Sequence, residues 1–452
     1  MPNLPEIIHL GAEKCVTGSC HLVNANGLTI MVDCGLAQGN DASVSIENWP
    51  VSPKEIDYLF LTHAHIDHIG RLPELIQKGF NGEIICSHPT KALLYPMLAD
   101  AMSFLGLPEK TAASIEKNMD DLSWGFEYGQ TFDLKKDITF KLGRAAHILG
   151  SCFIRFQDEN AGWSVVFSGD LGATDTPILP DPDPPETADL VVLESTYGDR
   201  LHGKREQRIL QLGNVLTRAL SDKGKVFIPA FSLGRTQEML YEMDRIFSDS
   251  QYQIMFPDLQ HKNRPPVFID SPLGLKITNI YSSLFDYWDK EAKELYRKND
   301  SPMDFDGLYA VKDHKDHLKV CEIKGPAVIL AGSGMCTGGR IIDHLLKGIE
   351  NPENDIIFVG YQTSGTPGRT IQEYAKKPGG YVELEGERRE IKAGVHTLTG
   401  YSAHADQKGL LDWVESMPKR PETIKLVHGA PQARNALAAL LERKGYNVQG
   451  GH

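Results

Sequence analysis

The sequence predicts an α/β protein of two domains, because strand signals alternate with helix signals along a chain too long for one ordinary hydrophobic core. The chain has 452 residues, of which 41% are hydrophobic and 24% are charged, as in a typical globular protein. The first part is rich in strand signals and includes a turn at 24–27 that joins two apolar runs. Further along, a helical pattern at 207–220 precedes a strand pattern at 225–228, which favours a mostly parallel sheet with flanking helices.

A cluster of metal-ligand side chains follows the apolar strand pattern at 56–62. It consists of His63, His65, Asp67 and His68. His63 and His65 project to the same side of an extended segment, whereas the other two follow a turn into a helix and can reach a second position. Because zinc prefers histidine and carboxylate ligands, we interpret this loop as the supplier of two adjacent metals rather than as a solvated polar loop.

Two metals need more ligands than this loop supplies, and the sequence offers His147, Asp170 and His428. His147 lies close to Gly150, which permits tight backbone approach. Asp170 follows the strand pattern at 163–168, and its carboxylate has two oxygens that can bridge two cations. Each residue alone is weak evidence, since an isolated histidine at a strand end is about as often a structural core residue. The set as a whole indicates a dinuclear site.

Asp33, the run 63–68, His147 and Asp170 match, in this order, the four motifs of the metallo-β-lactamase superfamily, which the chain therefore resembles. The resemblance implies two zinc ions per chain and a role for each ligand. One zinc would be held by His63, His65 and His147, the other by Asp67, His68 and His428, with Asp170 bridging the two ions. Asp33 would hydrogen-bond to the ligand loop and fix its orientation.

Glu194, His404 and His428 resemble motifs A, B and C of the β-CASP group within that superfamily. Further stretches that resemble the cap domain of this group lie at 228–235, 270–274, 332–340 and 360–369. The group includes the nuclease subunit of the pre-mRNA cleavage and polyadenylation machinery and its prokaryotic relatives. The resemblance implies a metallo-β-lactamase αββα sandwich formed by 1–200 and 395–452, with an inserted α/β β-CASP cap domain at 201–394.

The activity that the resemblance implies is hydrolysis of phosphodiester bonds in single-stranded RNA by a hydroxide held between the two zinc ions. We expect His404, Glu194 and Asp67 to act in catalysis. His404 would protonate the leaving oxygen while Glu194 holds its ring, which suits the chemistry of imidazole. The alternative for His404 is a histidine that only supports the metal ligands. Endonuclease and 5′→3′ exonuclease activities share these motifs, so both stay open.

Recognition of the RNA backbone would fall to the cap domain. Arg235, Arg340 and Arg369 each follow a glycine in a loop where a phosphate could approach closely, and surface arginine is the competing interpretation. Ser333 and Ser364, with the glycines around them, could add backbone amides to the phosphate contacts.

Other functions fit these motifs less well. A DNA nuclease of the same group resembles the chain, but that branch has valine at the position of His428. A small-molecule thioesterase of the glyoxalase II type would not need the long insertion between Glu194 and His404. A catalytically inactive scaffold of an RNA-processing complex would lack ligands, and a flavodi-iron oxidoreductase would need a flavin domain. One departure from the group is Ala430, where a glutamate commonly follows the His-Gly of motif C.

Charge and cysteine usage bear on partners and compartment. The net charge of −13 lowers the expectation of tight, non-specific nucleic-acid binding. The N-terminus has no secretory signal pattern, and the apolar runs are too short to span a membrane, so we expect no membrane association. Seven cysteines without a C-x-x-C pair are typical of free thiols in a reducing compartment, which predicts a cytoplasmic location. A homodimer is the assembly that we consider.

Overall fold

The structure is a computed structural model that describes residues 4–104, 108–203, 207–260, 263–298 and 300–450. By contacts between Cα atoms the chain divides into two compact units. The first unit is Met1–Leu201 with His404–His452, and the second unit is His202–Ala403.

The strands and helices follow one another along the whole chain. The strands are β1 (Glu6–Gly11), β2 (Cys20–Ala25), β3 (Leu28–Val32), β4 (Tyr58–Phe60), β5 (Glu83–Ser87), β6 (Ser123–Phe126), β7 (Thr131–Asp133), β8 (Ile138–Arg144), β9 (Cys152–Asp158), β10 (Trp163–Phe167), β11 (Leu190–Glu194), β12 (Lys225–Pro229), β13 (Val267–Asp270), β14 (Leu308–Ala310), β15 (Ala327–Ala331), β16 (Asp355–Phe358), β17 (Tyr381–Leu384), β18 (Glu387–Glu390), β19 (Gly394–Thr397), β20 (Thr423–Val427) and β21 (Val448–Gln449). The α-helices are α1 (Ile66–Ile69), α2 (Leu72–Gln77), α3 (His88–Phe104), α4 (Glu109–Leu122), α5 (Arg208–Ala219), α6 (Arg235–Ser248), α7 (Ser250–Met255), α8 (Pro272–Ser283), α9 (Lys290–Arg297), α10 (His314–Glu322), α11 (Arg340–Gly348), α12 (Pro367–Tyr374), α13 (Gln407–Glu415) and α14 (Pro431–Arg443).

The first unit is a sandwich of two sheets with helices on both outer faces. One sheet has the strand order β1-β2-β3-β4-β5-β6, and the other has the order β21-β20-β11-β10-β9-β8-β7. Helices α3 and α4 contact the first sheet, and α14 contacts the second at β20. Between the sheets Phe60 meets the rings of Phe140 and Phe156 at centroid distances of 5.0 and 4.8 Å. This αββα arrangement confirms the predicted fold class.

The second sheet of the first unit contributes side chains to two hydrophobic cores, one on each of its faces. Val165 and Val192 lie in the core between the sheets, whereas Val166, Val191 and Leu193 pack in the core that includes residues of α13 and α14. Successive residues of a strand point to opposite faces, so both faces of β10 and β11 are buried. These strands are accordingly mostly apolar, as strands covered on both faces usually are.

The strand ends of the first unit carry the residues that the sequence singled out. Strand β4 leads directly into His63, β10 is followed by Asp170, β11 ends at Glu194 and β20 leads into His428. Strands β10, β11 and β20 run parallel, so their carboxyl ends meet at one edge of the sheet. Ligand-binding groups commonly gather at this edge in α/β folds.

The second unit is built on a parallel sheet of order β14-β13-β15-β12-β16-β19, with a separate β17–β18 hairpin. Its α5 and β12 lie where the sequence predicted a helix and a strand. The edge strand β19 pairs in parallel with β16, so 394–397 belong to this sheet. The compact units therefore divide at 403/404, whereas the sequence placed the boundary at 394/395.

Two further features concern membrane-spanning helices and cysteines. In the described part of the chain, no helix is both long enough and apolar enough to cross a membrane. All seven cysteines are free thiols, with Cys15 partly buried and the others buried. The cytoplasmic location stays a prediction.

We predict that Gly35→Ala destabilises the first unit and disturbs the ligand loop. A Cβ atom at Gly35 would lie 1.6 Å from the backbone oxygen of Asp67, so the 66–68 segment would have to move. Overpacking of this kind costs about 1–3 kcal/mol or more, measured here by denaturant unfolding. The control is Gly338→Ala, because a Cβ there meets no atom within 4 Å. Equal unfolding midpoints for the two variants would contradict the prediction.

Candidate metal centre and catalytic site

Three histidine rings converge in the first unit. Nδ1 of His65 lies 3.1 Å from Nε2 of His63 and 3.1 Å from Nε2 of His147. His63 and His147 are buried, and His65 is partly buried. A ring nitrogen carries one proton or one lone pair, so Nδ1 of His65 cannot satisfy both neighbours by hydrogen bonding.

A second group of ligand atoms comes from Asp67, His68 and His428. Nε2 of His68 lies 3.2 Å from Nε2 of His428, which is itself 3.6 Å from Oδ2 of Asp67. The loop 63–68 therefore contributes to both groups, as its spacing predicted. His428 has a positive φ of 51°, an uncommon conformation for a residue with a side chain, which turns its ring at the end of β20.

Asp170 lies between the two groups. Its Oδ2 is 3.6 Å from Nε2 of His63, 3.7 Å from Nε2 of His147 and 3.3 Å from Nε2 of His68. Its Oδ1 is 3.5 Å from Nε2 of His428. Oδ2 thus lies near both ligand groups and Oδ1 near the second group, so the carboxylate is placed to bridge the two groups.

The donor sets fit metal ions. Two nitrogen ligands of a tetrahedral zinc ion lie about 3.3 Å apart, close to the separations within both groups. Oδ1 of Asp170 is buried, yet no described residue donates a hydrogen bond to it, and the same holds for Nδ1 of His147. Buried polar atoms are rarely left unpaired, so an unpaired carboxylate oxygen beside histidine nitrogens indicates a cation position.

Protonation of the two groups differs. Burial lowers the pKa of His65 to about 4 and holds the pKa of His63 and of His147 well below the usual value, so these rings are neutral at pH 7. Burial also opposes protonation of His68, but the carboxylates of Asp170 and Asp33 outweigh it and raise the pKa of that ring well above its usual value. A metal ion on the second group would displace this proton.

Asp33 holds His68 in place. Its Oδ2 accepts a hydrogen bond from Nδ1 of His68 at 2.7 Å, and both oxygens accept bonds from Thr62. Ser19 adds a further bond at 3.2 Å. With Nδ1 donating to Asp33, the lone pair of His68 is on Nε2, which faces the ligand group. The sequence had singled out neither Thr62 nor Ser19.

His404 lies beside the metal ligands and is paired with Glu194. Its Nδ1 is 3.1 Å from Oε1 of Glu194 and 3.9 Å from Oδ2 of Asp170. Glu194 is buried and also accepts hydrogen bonds from the backbone N–H groups of Leu171 and Thr196. Burial opposes protonation of His404, but Glu194 and Asp170 raise its pKa above the usual value. The geometry therefore favours a charged, oriented imidazole at this position.

The predicted phosphate-binding residues lie in the second unit. Arg235 and Arg340 are the first residues of α6 and α11, and Arg369 lies in the first turn of α12. Each arginine pairs with a carboxylate, namely Glu238, Asp270 and Glu373 respectively. Their phosphate contacts stay a prediction.

The two predicted serines lie in loops of the same unit. Oγ of Ser333 accepts the backbone N–H of Thr337 at 2.9 Å, and Ser364 is exposed. Their role toward phosphate also stays a prediction.

Comparison with known proteins decides the family. Family models match as follows: the metallo-beta-lactamase superfamily at 14–225, the Beta-Casp domain at 236–371, and a Zn-dependent metallo-hydrolase RNA specificity domain at 388–449. Ribonuclease TTHA0252 of Thermus thermophilus is 36% identical over 98% of this chain and 97% of its own length. The chain belongs to the metallo-β-lactamase superfamily. Its Beta-Casp match confirms the predicted group.

Two more distant relatives of this metallo-β-lactamase chain are longer proteins. Transcription termination factor FttA of Methanocaldococcus jannaschii is 28% identical over 93% of this chain and 66% of its own length. Cleavage and polyadenylation specificity factor 73 of Drosophila melanogaster is 28% identical over 98% of this chain and 62% of its own length. The chain thus spans about two thirds of these two relatives.

We predict that Asp33→Asn weakens metal binding without unfolding the protein. Asparagine keeps the shape of the side chain and tolerates the positive φ of 59° at this position, but it removes the charge that orients His68. Loss of such a partner lowers metal affinity by about 10–100-fold, which competition with a chelator measures. Asp41→Asn is the control, since Asp41 accepts bonds from Val16 and Thr17 outside the ligand groups. Unchanged affinity in Asp33→Asn would show that Asp33 does not orient a ligand.

Proposed function

We propose that this protein is a zinc-dependent ribonuclease that hydrolyses phosphodiester bonds of single-stranded RNA at a two-metal site. The observation that carries the proposal is Asp170, which lies between two ligand groups and beside the His404–Glu194 pair. The names of the relatives support RNA as the substrate, since they include a ribonuclease and a cleavage and polyadenylation factor. The homodimer and the cytoplasmic location remain predictions.

The chemistry that the metals supply when bound is an activated water and neutralisation of charge on the phosphate. His63, His65 and His147 would hold one ion, and Asp67, His68 and His428 the other. The bridging oxygens would come from Asp170. These side chains lie at strand ends, in a loop and on helix α1 of one unit, so the fold fixes their separation before any ion binds.

His404 provides the proton for the leaving group. Its Nδ1 donates to Glu194, which two backbone N–H groups hold in place, so the ring keeps one orientation. The opposite nitrogen, Nε2, is the one that we assign to proton transfer toward the leaving oxygen. Burial opposes protonation of this ring, but Glu194 and Asp170 raise its pKa above the usual value, which favours the protonated form that a general acid needs.

We predict that the purified protein cleaves single-stranded RNA and not DNA of the same sequence or a thioester. A chelator should abolish cleavage, and added zinc should restore it, because the proposed mechanism needs bound metal to activate the attacking water. Elemental analysis of the same sample should give at least two zinc ions per chain. If a thioester is hydrolysed while RNA stays intact, the chain is a small-molecule hydrolase and the proposal is wrong.

We predict opposite effects for two histidine variants. His404→Ala should keep its metal and lose turnover by about 10²–10⁴-fold, as expected for loss of a general acid. His65→Ala should lose metal, because Nδ1 of His65 lies at the centre of the first ligand group. Metal content and single-turnover cleavage are measured on both variants. Equal metal loss would instead make His404 a ligand.

A further inference from the structure

A second cluster of histidine, cysteine and aspartate lies in the other compact unit, and the sequence had not singled it out. His317 and Cys321 lie one turn apart on α10, His344 lies on α11, and Asp270 ends β13. All four side chains are buried, with residue exposures of 0% for His317, 1% for His344, 4% for Cys321 and 0% for Asp270. Burial of so many polar groups requires that each has a partner.

Asp270 fixes which nitrogen of each ring carries a proton. Its Oδ2 lies 2.6 Å from Nδ1 of His317 and 2.6 Å from Nε2 of His344, while Oδ1 accepts a hydrogen bond from Arg340 at 2.8 Å. Three donors thus converge on this one carboxylate, and the guanidinium of Arg340 pairs with its charge. The ionised carboxylate only accepts, so both ring nitrogens that face it must donate.

The other nitrogen of each ring then lies near Cys321. Sγ of Cys321 is 3.7 Å from Nδ1 of His344, and it is 3.7 Å from Nε2 and 3.9 Å from Nδ1 of His317. Two ligands of a tetrahedral zinc ion, one sulfur and one nitrogen, lie about 3.5 Å apart. One ligand atom from each of these three residues lies within 4.8 Å of the others. The three atoms are therefore spaced as metal ligands would be.

Asp343 offers an oxygen as a fourth ligand atom and lies partly in solvent. Its Oδ2 is 2.9 Å from Nε2 of His317, and its side chain is 51% exposed, unlike the three buried residues. A second proton on His317, shared with Asp343, is the competing explanation of this contact. A metal ion in place of that proton would also pair the Cys321 sulfur, which otherwise has only weak contacts.

We propose that His317, Cys321 and His344, with Asp343 or a water as the fourth ligand, bind one divalent transition-metal ion of the zinc type. Two imidazoles and one thiolate form a ligand set that zinc prefers. Asp270 would act as the carboxylate that orients both histidines, as carboxylates do behind metal-bound imidazole. The ion would cross-link α10 to α11 and, through Asp270, hold Arg340 at the start of α11. This site is separate from the groups around Asp170.

Cobalt substitution tests the proposal, because a thiolate ligand gives Co(II) an intense charge-transfer band in the near ultraviolet. The ligand groups around Asp170 contain only histidine and aspartate, so the band does not come from them, and its loss in Cys321→Ser assigns it to Cys321. We expect metal-free protein loaded with Co(II) to show the band, and we expect His65→Ala to keep it. Elemental analysis should find one more metal equivalent per chain in the wild type than in Cys321→Ser.

Cys336→Ser is the matched control, since Cys336 is a buried cysteine of the same unit outside the cluster. It should keep both the band and the metal equivalent, whereas Cys321→Ser should lose both while its circular dichroism stays that of the wild type. Absence of the band in folded, cobalt-loaded wild-type protein would overturn the proposal even if Cys321→Ser does not fold. Equal metal content in Cys321→Ser and Cys336→Ser would overturn it as well.

Discussion

Burial of the Asp170 carboxylate is the constraint on which the first unit depends. Asp170 is 2% exposed, and a buried charge without compensation costs several kcal/mol. Burial opposes ionisation of this carboxyl, but the charges of His428, His68 and His404, on loops and a short helix that are far apart in the sequence, outweigh it and hold the pKa of Asp170 well below its usual value. These loops meet only when the two sheets pack, so the site and the sandwich core stabilise each other.

The ligand residues could be predicted because their chemistry leaves a local pattern. The run 63–68 places four ligand-type side chains directly after a strand, and His428 follows another strand. The supporting hydroxyls of Thr62 and Ser19 could not be predicted, since serine and threonine occur everywhere and their contact with Asp33 exists only in the folded chain. The predicted boundary at 394/395 differs from the division of the compact units at 403/404 for a similar reason, because pairing of β19 with β16 is a tertiary contact.

The cluster around Asp270 was not predicted, because tertiary contacts bring its residues together. The spacing of His317 and Cys321 on one helix was visible, but Asp270 and His344 come from a strand and another helix. Once assembled, the cluster repeats the device seen at Asp33, in which a buried carboxylate accepts from one ring nitrogen and thereby presents the other. In both units, therefore, a hydrogen bond to a buried carboxylate fixes the orientation of a histidine ring.

The three arginines expected to bind phosphate differ in the burial of their ion pairs within the second unit. Arg235 and Arg340 have side chains that are 6% and 19% exposed, and loss of their carboxylate partners would leave poorly solvated charges. Arg369 and Glu373 are each nearly half exposed, and a surface pair of this kind contributes little stability. Arg369 can therefore exchange its carboxylate for a phosphate at small cost, whereas the other two arginines are held by their own unit. If Arg369 binds phosphate as predicted, this local exchange would let a chain with a net charge of −13 accept a polyanion.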